Sequence, residues 1–546
     1  MLSCCILDCY VDEPACFGVP PFVSPYPRYI FGALADAGVD GSRIDYLTID
    51  SLRAAGYRLE RAYDMVFLIG GAVVPGRYLG SRIGTAAEIR RIAENNRNQR
   101  FAVGGLISRV LPGGGNVNLV HNDIEKFAFT FARGDGADER RSPGEIARWA
   151  PKGAAVARLH PRFPDLICEI ETSRGCPRES HCSFCSEGLY GQVQFRETGD
   201  IIAETDALIA AGIHRFRLGR QADILQYRSD CSSFTRGFPR PEVSPIRELL
   251  GELRKRKERG LISVLNIDNA NPGTIAVFPE ESSMILDDLA ATVTPGDTMA
   301  LGVESFDEEV VRRNNLKVSP ADAVRAIEII NGIGGARVQS IPVLLPGVNL
   351  LHGLEGETME TFEINFRYLS DIMERGLLIK RINIRQVLPF PGTPAHMHKF
   401  VPGKSVENRF VYYRDRIRSE IEHPMLEKIY PPGTIIRRCQ VLETQAGYSY
   451  GKQIASYAIT LKFPMELPLM SFYDAVIVSH RERSLIALPY PININLLTQK
   501  ALELIPGISR KIASDIILKR PFGSLNDVNY FLKNVSKEIV KTFIFN

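Results

Sequence analysis

Three cysteines crowd into one short stretch, ETSRGCPRESHCSFCSEG, where Cys176, Cys182 and Cys185 are separated by five and then two residues. Soft thiolates at such spacing hold iron or zinc. A 4Fe-4S cluster normally takes four cysteines. Three leave one iron open, and an open coordination position is what separates a catalytic metal centre from a structural one. His181, inside the same loop, permits a second reading as a closed zinc site of three cysteines and one histidine. Cys168 falls in the apolar run before the loop, where a thiol packs as a small hydrophobe. The other cysteines are too sparse for a disulfide scaffold in 546 residues, which fits a reducing compartment.

The loop follows the predicted strand LICEIETS and opens a region, about 150–400, in which strands and helices alternate. Further strands are IHRFRLG, LISVLNID, MALGVES, ARVQSIPVLL and KRINIRQVLPF, and SPADAVRAIEIINGIG is a helix capped by Ser319 with Pro320 at its first position. This pattern predicts a partial or full parallel (β/α) barrel with function at the carboxyl ends of its strands. Residues 1–135 alternate in the same way and predict a doubly wound, Rossmann-like domain, so the fold class is α/β and multidomain. Gly70, Gly71, Gly104 and Gly105 end two of its strands, where a crevice takes ligands. RGDGADERRSPGEIARWAPKG reads as a polar linker. Residues 401–488 predict a basic, aromatic connector helix and a small antiparallel β-barrel, and residues 489–546 a helix-hairpin-helix turning at Ile505, Pro506, Gly507 and Ile508. With 66 basic and 63 acidic residues, composition alone predicts no polyanion partner, though a local basic patch stays open. No apolar run reaches the roughly 20 residues of a bilayer helix, and the expectation is a cytoplasmic protein.

The cysteine loop resembles that of radical S-adenosylmethionine (radical SAM) enzymes, including the aromatic Phe184 inside the last C-x2-C, although the commonest family spacing puts three residues, not five, between the first two cysteines. The similarity extends over about 165–395. GVESFDEEVVRRNN is similar to the family's ribose-contacting strand and helix, which implies a role for Glu304 or Ser305. LLPGVNLLHGLEGETMETFEINFRYL resembles its "PGET" stretch and INIRQVLPFPGTP its closing strand. The family's Gly-Gly-Glu aligns with Gly219, Arg220 and Gln221, so a glutamine carbonyl replaces the acidic ligand of the methionine ammonium. Gln339 and Ser340 complete the implied SAM-binding set. The resemblance implies a cluster on Cys176, Cys182 and Cys185, SAM chelating the open iron, homolysis to a 5'-deoxyadenosyl radical, and an external electron donor.

The amino-terminal domain looks like the cobalamin-binding module of methyl-transferring relatives, with Pro20, Pro21, Gly70, Gly71, Gly80, Gly104 and Gly105 as implied contacts; the D-x-H-x-x-G motif is absent. In the tail, Gly507, Arg510 and Lys511 are candidates for phosphate or partner contact. The leading expectation is therefore a cobalamin-dependent radical C-methyltransferase of a macromolecule. A protein stands ahead of RNA as its substrate, by likeness to archaeal peptide methylases that modify methyl-coenzyme M reductase. A tRNA methylthiotransferase-like enzyme is the alternative, since the barrel resembles the RNA-binding barrel of those enzymes. Against it, Cys4, Cys5, Cys9 and Cys16 crowd the first strand region, where alternation points neighbours to opposite faces and disfavours a second cluster. A non-catalytic zinc-bearing nucleic-acid binder is the third reading.

Overall fold

Every residue of the first strand, CCILD, is buried, with Cys4 and Ile6 in one apolar cluster and Cys5 and Leu7 in another on the opposite face. Strands covered on both faces must be apolar throughout, which is why they read as continuous hydrophobic runs. The computed structural model describes residues 2–71, 78–397, 404–453, 455 and 458–545. It divides into one unit of residues 1–292 with 388–399 and another of 293–387 with 400–546.

In the first unit, β1 (Cys4–Asp8), β2 (Ile44–Thr48), β3 (Met65–Ile69), β4 (Phe101–Gly104) and β5 (Val117–Leu119) form a parallel sheet in the order β2-β1-β3-β4-β5. Chain direction across the sheet switches between β1 and β3, the place at which sheets of this order take their ligands. A second parallel sheet contains β6 (Ile167–Glu171), β7 (Arg215–Arg220) and β8 (Val264–Ile267) in the order β8-β7-β6. Its outer edge is supplied by the amino-terminal region: Phe22–Val23 pairs in parallel with Ile167 and Cys168 of β6. Cys168 is fully buried, as its apolar context predicts.

The expected linker is corrected. Pro143–Lys152 is a helix with a capping box between Ser142 and Glu145, and Ile146, Trp149 and Ala150 of it are buried. It packs on the helix Pro25–Asp36 so closely that a Cβ on Gly32 would stand 1.9 Å from the Trp149 carbonyl oxygen, and one on Gly153 equally near that of Arg28.

In the second unit, β9 (Asp297–Glu304), β10 (Leu344–His352) and β11 (Arg381–Gln386) make a parallel sheet in that order. The run ARVQSIPVLL is not one strand. Arg337–Val338 and Ile341–Pro342 form a short antiparallel pair around Gln339 and Ser340, both at positive φ, before β10 begins. Five strands close a small barrel: β12 (Ile435–Gln445), β13 (Tyr448–Gln453), β14 (Thr460–Phe463), β15 (Phe472–Arg481) and β16 (Ser484–Pro489). It departs from the antiparallel expectation in one pair, β14 with β16, which is parallel. Val476, Val478, Ile486 and Leu488 of the barrel share a core with Leu502, Ile505, Ile516 and Phe531 of the helical tail. Among the described residues no helix is long and apolar enough to cross a membrane.

Candidate functional site

The cysteine loop leaves the carboxyl end of β6 through Ser173 and Arg174, and its entrance is fixed by buried charges. Arg174 donates to Asp123, Glu125 and Glu171 at 2.7, 2.9 and 2.9 Å, and Arg141 bridges Glu125 and Glu171. Burial alone would raise the Glu171 carboxyl; the Arg141 and Arg174 guanidiniums bring it down to about 2. Cys176, Cys182 and Cys185 are half-buried. Their thiols are electrostatic neighbours, and Arg178 Nη1 donates to Cys182 Sγ at 3.0 Å. Burial pushes the Cys176 thiol up to about 12, so in the metal-free loop it holds its proton. Phe184 is half-buried beside them. The Pro-Gly-Thr turn of 391–393 closes on this loop: Ala395 N donates to Ser183 O at 2.9 Å. Three gathered thiols with a guanidinium at one sulfur are a donor set suited to an iron-sulfur group. Among the described residues, no three His, Cys, Asp or Glu side chains are arranged to hold a single metal ion.

At the end of β7, the three residues aligned with Gly-Gly-Glu take different roles. A Cβ on Gly219 would meet Arg217 Nη1 at 2.3 Å, so glycine there makes room for the buried Glu169–Arg217–Asp268 chain. Gln221 is held in place: its Nε2 donates to the Leu218 and Asp268 carbonyls at 2.8 and 2.7 Å and its Oε1 accepts from Thr172, so the amide ties strand ends together. Arg220 is wholly buried. Its Nη1 donates to Glu187 at 3.1 Å, its guanidinium lies 5.0 Å from the Tyr190 ring centroid, and its Nε and Nη2 have no hydrogen-bond partner among the described residues. Facing it is Glu13, whose Oε2 accepts from Tyr26 while Oε1 is likewise unpartnered. Burial raises Glu13 to about 7 against the pull of Arg220. Buried polar atoms left open in this way mark a place for a polar ligand group. Sequence reasoning found Arg220 but missed Glu13, Tyr26 and Tyr190, which carry no motif and come together only because the Asp12–Phe17 hairpin folds against this loop.

The glycines at the first sheet's crevice meet protein atoms. A Cβ on Gly70 would stand 3.0 Å from Ile107, on Gly71 3.0 Å from Val11, on Gly104 2.5 Å from Ile124, and on Gly105 2.4 Å from the Gly70 carbonyl oxygen. Gly80 is exposed and its carbonyl accepts from Arg162. Pro20 and Pro21 lie on the segment that crosses to the second sheet, where the Pro21 carbonyl accepts from Ile167 N. Asp8, ending β1 at the switch point, is buried, accepts from Tyr10 N and Tyr46 OH, and is raised by burial to about 7. Cys4 and Cys16 belong to one core and Cys5 and Cys9 to the other.

In the second unit, Glu304 ends β9 at a bulge with φ 64°, a left-handed conformation costly for a non-glycine residue. Burial raises its carboxyl to about 8, opposed by Arg385. Ser305 is buried and its Oγ accepts from Asp307 N. Gln339 and Ser340 are exposed and precede the amino end of β10, whereas function in parallel βα units gathers at carboxyl ends. At the carboxyl end of β10, His352 bonds Glu357 and stacks on Phe362 with ring centroids 4.4 Å apart. Gly507, Arg510 and Lys511 are exposed, and a Cβ on Gly507 would meet the Asn534 carbonyl oxygen at 2.2 Å.

Parallel βα sheets with a three-thiol loop at the carboxyl end of a strand define an enzyme framework built around a metal cluster. The Radical SAM superfamily pattern matches residues 170–363, which form a radical SAM domain; enzymes of that superfamily use a 4Fe-4S cluster and SAM. An uncharacterized protein of Archaeoglobus fulgidus is 39% identical over 529 residues, covering 96% of each chain. A tRNA-2-methylthio-N(6)-dimethylallyladenosine synthase of Corynebacterium efficiens is 22% identical over 336 residues, 60% of this chain and 58% of that one. Among solved structures, the radical SAM methyltransferase TsrM from Kitasatospora setae matches with TM-score 0.49 at 16% identity, covering 73% of this chain and 76% of that one.

Proposed function

We propose that the protein is a cobalamin-dependent radical methylase acting on a carbon of a macromolecule, with reducing electrons from an external donor. The observation that carries this reading is the parallel sheet in the doubly wound order β2-β1-β3-β4-β5, from whose β1 the chain runs into the Asp12–Phe17 hairpin, where the Ala15 carbonyl accepts from Arg220. A crevice at such a switch point takes a large, flat or nucleotide-like ligand. When bound, the cluster and SAM supply hydrogen abstraction from unactivated carbon, and cobalamin supplies a methyl carrier.

This chain's own residues bind and orient. Cys176, Cys182 and Cys185 ligate the cluster, and the Arg178 N–H at Cys182 offsets charge on that sulfur. The open Nε and Nη2 of Arg220 fit a carboxylate, and the acidic residue usual in this motif falls one position on, where Gln221 stands. Glu304, neutral at pH 7 by its raised pKa, offers a hydroxyl donor or a carbonyl acceptor to a sugar. Tyr26 and Tyr190 meet hydroxyl to hydroxyl beside Arg220, with the Tyr190 ring against its guanidinium.

Anaerobic reconstitution with iron, sulfide, SAM and cobalamin tests both halves. The reading expects a brown protein that loses its visible absorbance in the Cys176→Ala, Cys182→Ala, Cys185→Ala triple variant, forms deoxyadenosine on reduction, and retains cobalamin through gel filtration. A colourless zinc protein ends the radical reading. Failure to retain cobalamin supplied in excess ends the methylase.

A further inference from the structure

Strand β13 reads YSYGKQ, and its burial alternates: Ser449, Gly451 and Gln453 are buried, whereas Tyr448, Tyr450 and Lys452 are half-exposed on the other face. Same-face side chains on a strand recur about every 7 Å, so the three form a row. Lysines interleave with it. Lys462 of β14, paired with Tyr450, holds its ammonium 3.7 Å from the Tyr448 ring centroid and 5.6 Å from that of Tyr450. Lys500, in the tail helix Gln499–Glu503, lies 3.5 Å from the Tyr448 centroid. Among the described residues none of Lys452, Lys462 and Lys500 pairs with a carboxylate. The acid nearest the row along the ladder is Glu443, opposite Tyr450.

At its far end the row meets the parallel sheet of the same unit. Burial and the charge of Arg381 together lower Lys452 to about 8, which marks two cations held close. Arg381, Asn383 and Arg385 then follow one another on a single face of β11; Arg381 donates to Asn383 at 2.7 Å, and Asn383 donates to Asn349 at 2.9 Å. Arg385 faces Glu304, the residue at the carboxyl end of β9. Cations and aromatic rings thus continue from the tail, along the barrel, to the end of the sheet where chemistry is expected.

We infer that the outer face of β13, continued by Arg381 and Arg385, is a binding track for a single-stranded polynucleotide. This names the macromolecule of the methylase proposed above and takes its catalytic meaning from that reading. The ammoniums of Lys452, Lys462 and Lys500 meet phosphates, and tyrosine faces stack bases without regard to sequence. An acidic peptide would use the cations but has no need of the rings, and a duplex keeps its base faces hidden. The lysines resting on those rings are exchangeable contacts that a base can replace, moving each ammonium onto a phosphate. The inference reverses the order of the sequence expectation, in which protein stood ahead of RNA.

The test uses the full chain without cofactors or reductant, so that its outcome is separate from that of cobalamin retention. Fluorescence anisotropy would follow binding of labelled mixed-sequence RNA and DNA strands of about 20 nucleotides, the same sequences as duplexes, and poly-glutamate. Single strands should bind, with RNA equal to or tighter than DNA. Substituting Lys452, Lys462 and Lys500 together with Gln should weaken binding at least about tenfold and flatten the log–log salt slope by about 2, since each lost phosphate contact on a single strand removes roughly 0.7. Tyr450→Ala should cost about tenfold, and Lys452→Arg should retain binding. Circular dichroism and melting of each variant confirm folding. Equal binding of poly-glutamate, tighter binding of duplex, or undiminished binding by the folded triple variant would each overturn the track.

Discussion

Arg220 is a cation with no exposed surface; among the described residues it has one carboxylate partner, Glu187 at 3.1 Å, and two donor nitrogens unspent. Removing one side of a buried ion pair strands the other, so Arg220→Met is expected to cost about 3–5 kcal/mol of stability in urea unfolding. A loss under about 1 kcal/mol would mean that Glu187 and Glu13 do not need its charge. Asp8 gives the complementary prediction about pH. The folded chain keeps its proton up to about pH 7, whereas the unfolded carboxyl releases it near its ordinary value of 3.8. Stability from this group is full below that window and is lost as pH rises through it, by about 1.4 kcal/mol for each unit. Asp8→Asn can keep both hydrogen bonds by accepting from Tyr10 N and donating to Tyr46. Its melting temperature should therefore exceed that of the unsubstituted chain at pH 8 and match it near pH 4; equal melting at pH 8 would show that burial does not burden this carboxylate.

The contact of Pro25–Asp36 with Pro143–Lys152 is one of backbone on backbone, and it makes a sharp prediction about glycine. Gly32→Ala should destabilise by at least about 3 kcal/mol, because the new methyl overlaps the Trp149 carbonyl and the helices must part. Gly144→Ala, in the facing helix Pro143–Lys152 with no described atom within 4 Å of the added one, should be neutral or stabilise by up to about 1 kcal/mol. Similar melting shifts in the two variants would refute the close packing. That helix was also readable in advance. Ser142 and Glu145 have the capping-box spacing, and Ile146, Trp149 and Ala150 recur at helical intervals; a charged, glycine-containing context hid them. The long strands and the cysteine loop were legible because apolar runs and thiol spacing are local signals. Phe22–Val23 and the Asp12–Phe17 hairpin were not, since two-residue strands have no period and exist only through partners far along the chain. The same locality explains Gln339 and Ser340: a β-rich composition reads as one strand, and only the two positive φ values break it.

Across the whole molecule, cores do not follow the boundaries drawn from sequence. The barrel and the helical tail share one apolar cluster, so deleting residues after 489 would uncover Val476, Val478, Ile486 and Leu488. Such a truncated chain is expected to bind a hydrophobic dye or aggregate; a monomeric, dye-silent product would show that the barrel's core is self-sufficient. The edge strand Phe22–Val23 has a consequence for the chain while it is being made. Its partners, Ile167 and Cys168, are translated more than a hundred residues later, which at usual elongation rates is a wait on the order of ten seconds. Throughout that interval the nascent amino-terminal domain carries a strand with nothing to pair with, and a ribosome stalled near residue 135 would present that bare edge to whatever chaperone or neighbouring chain reaches it first.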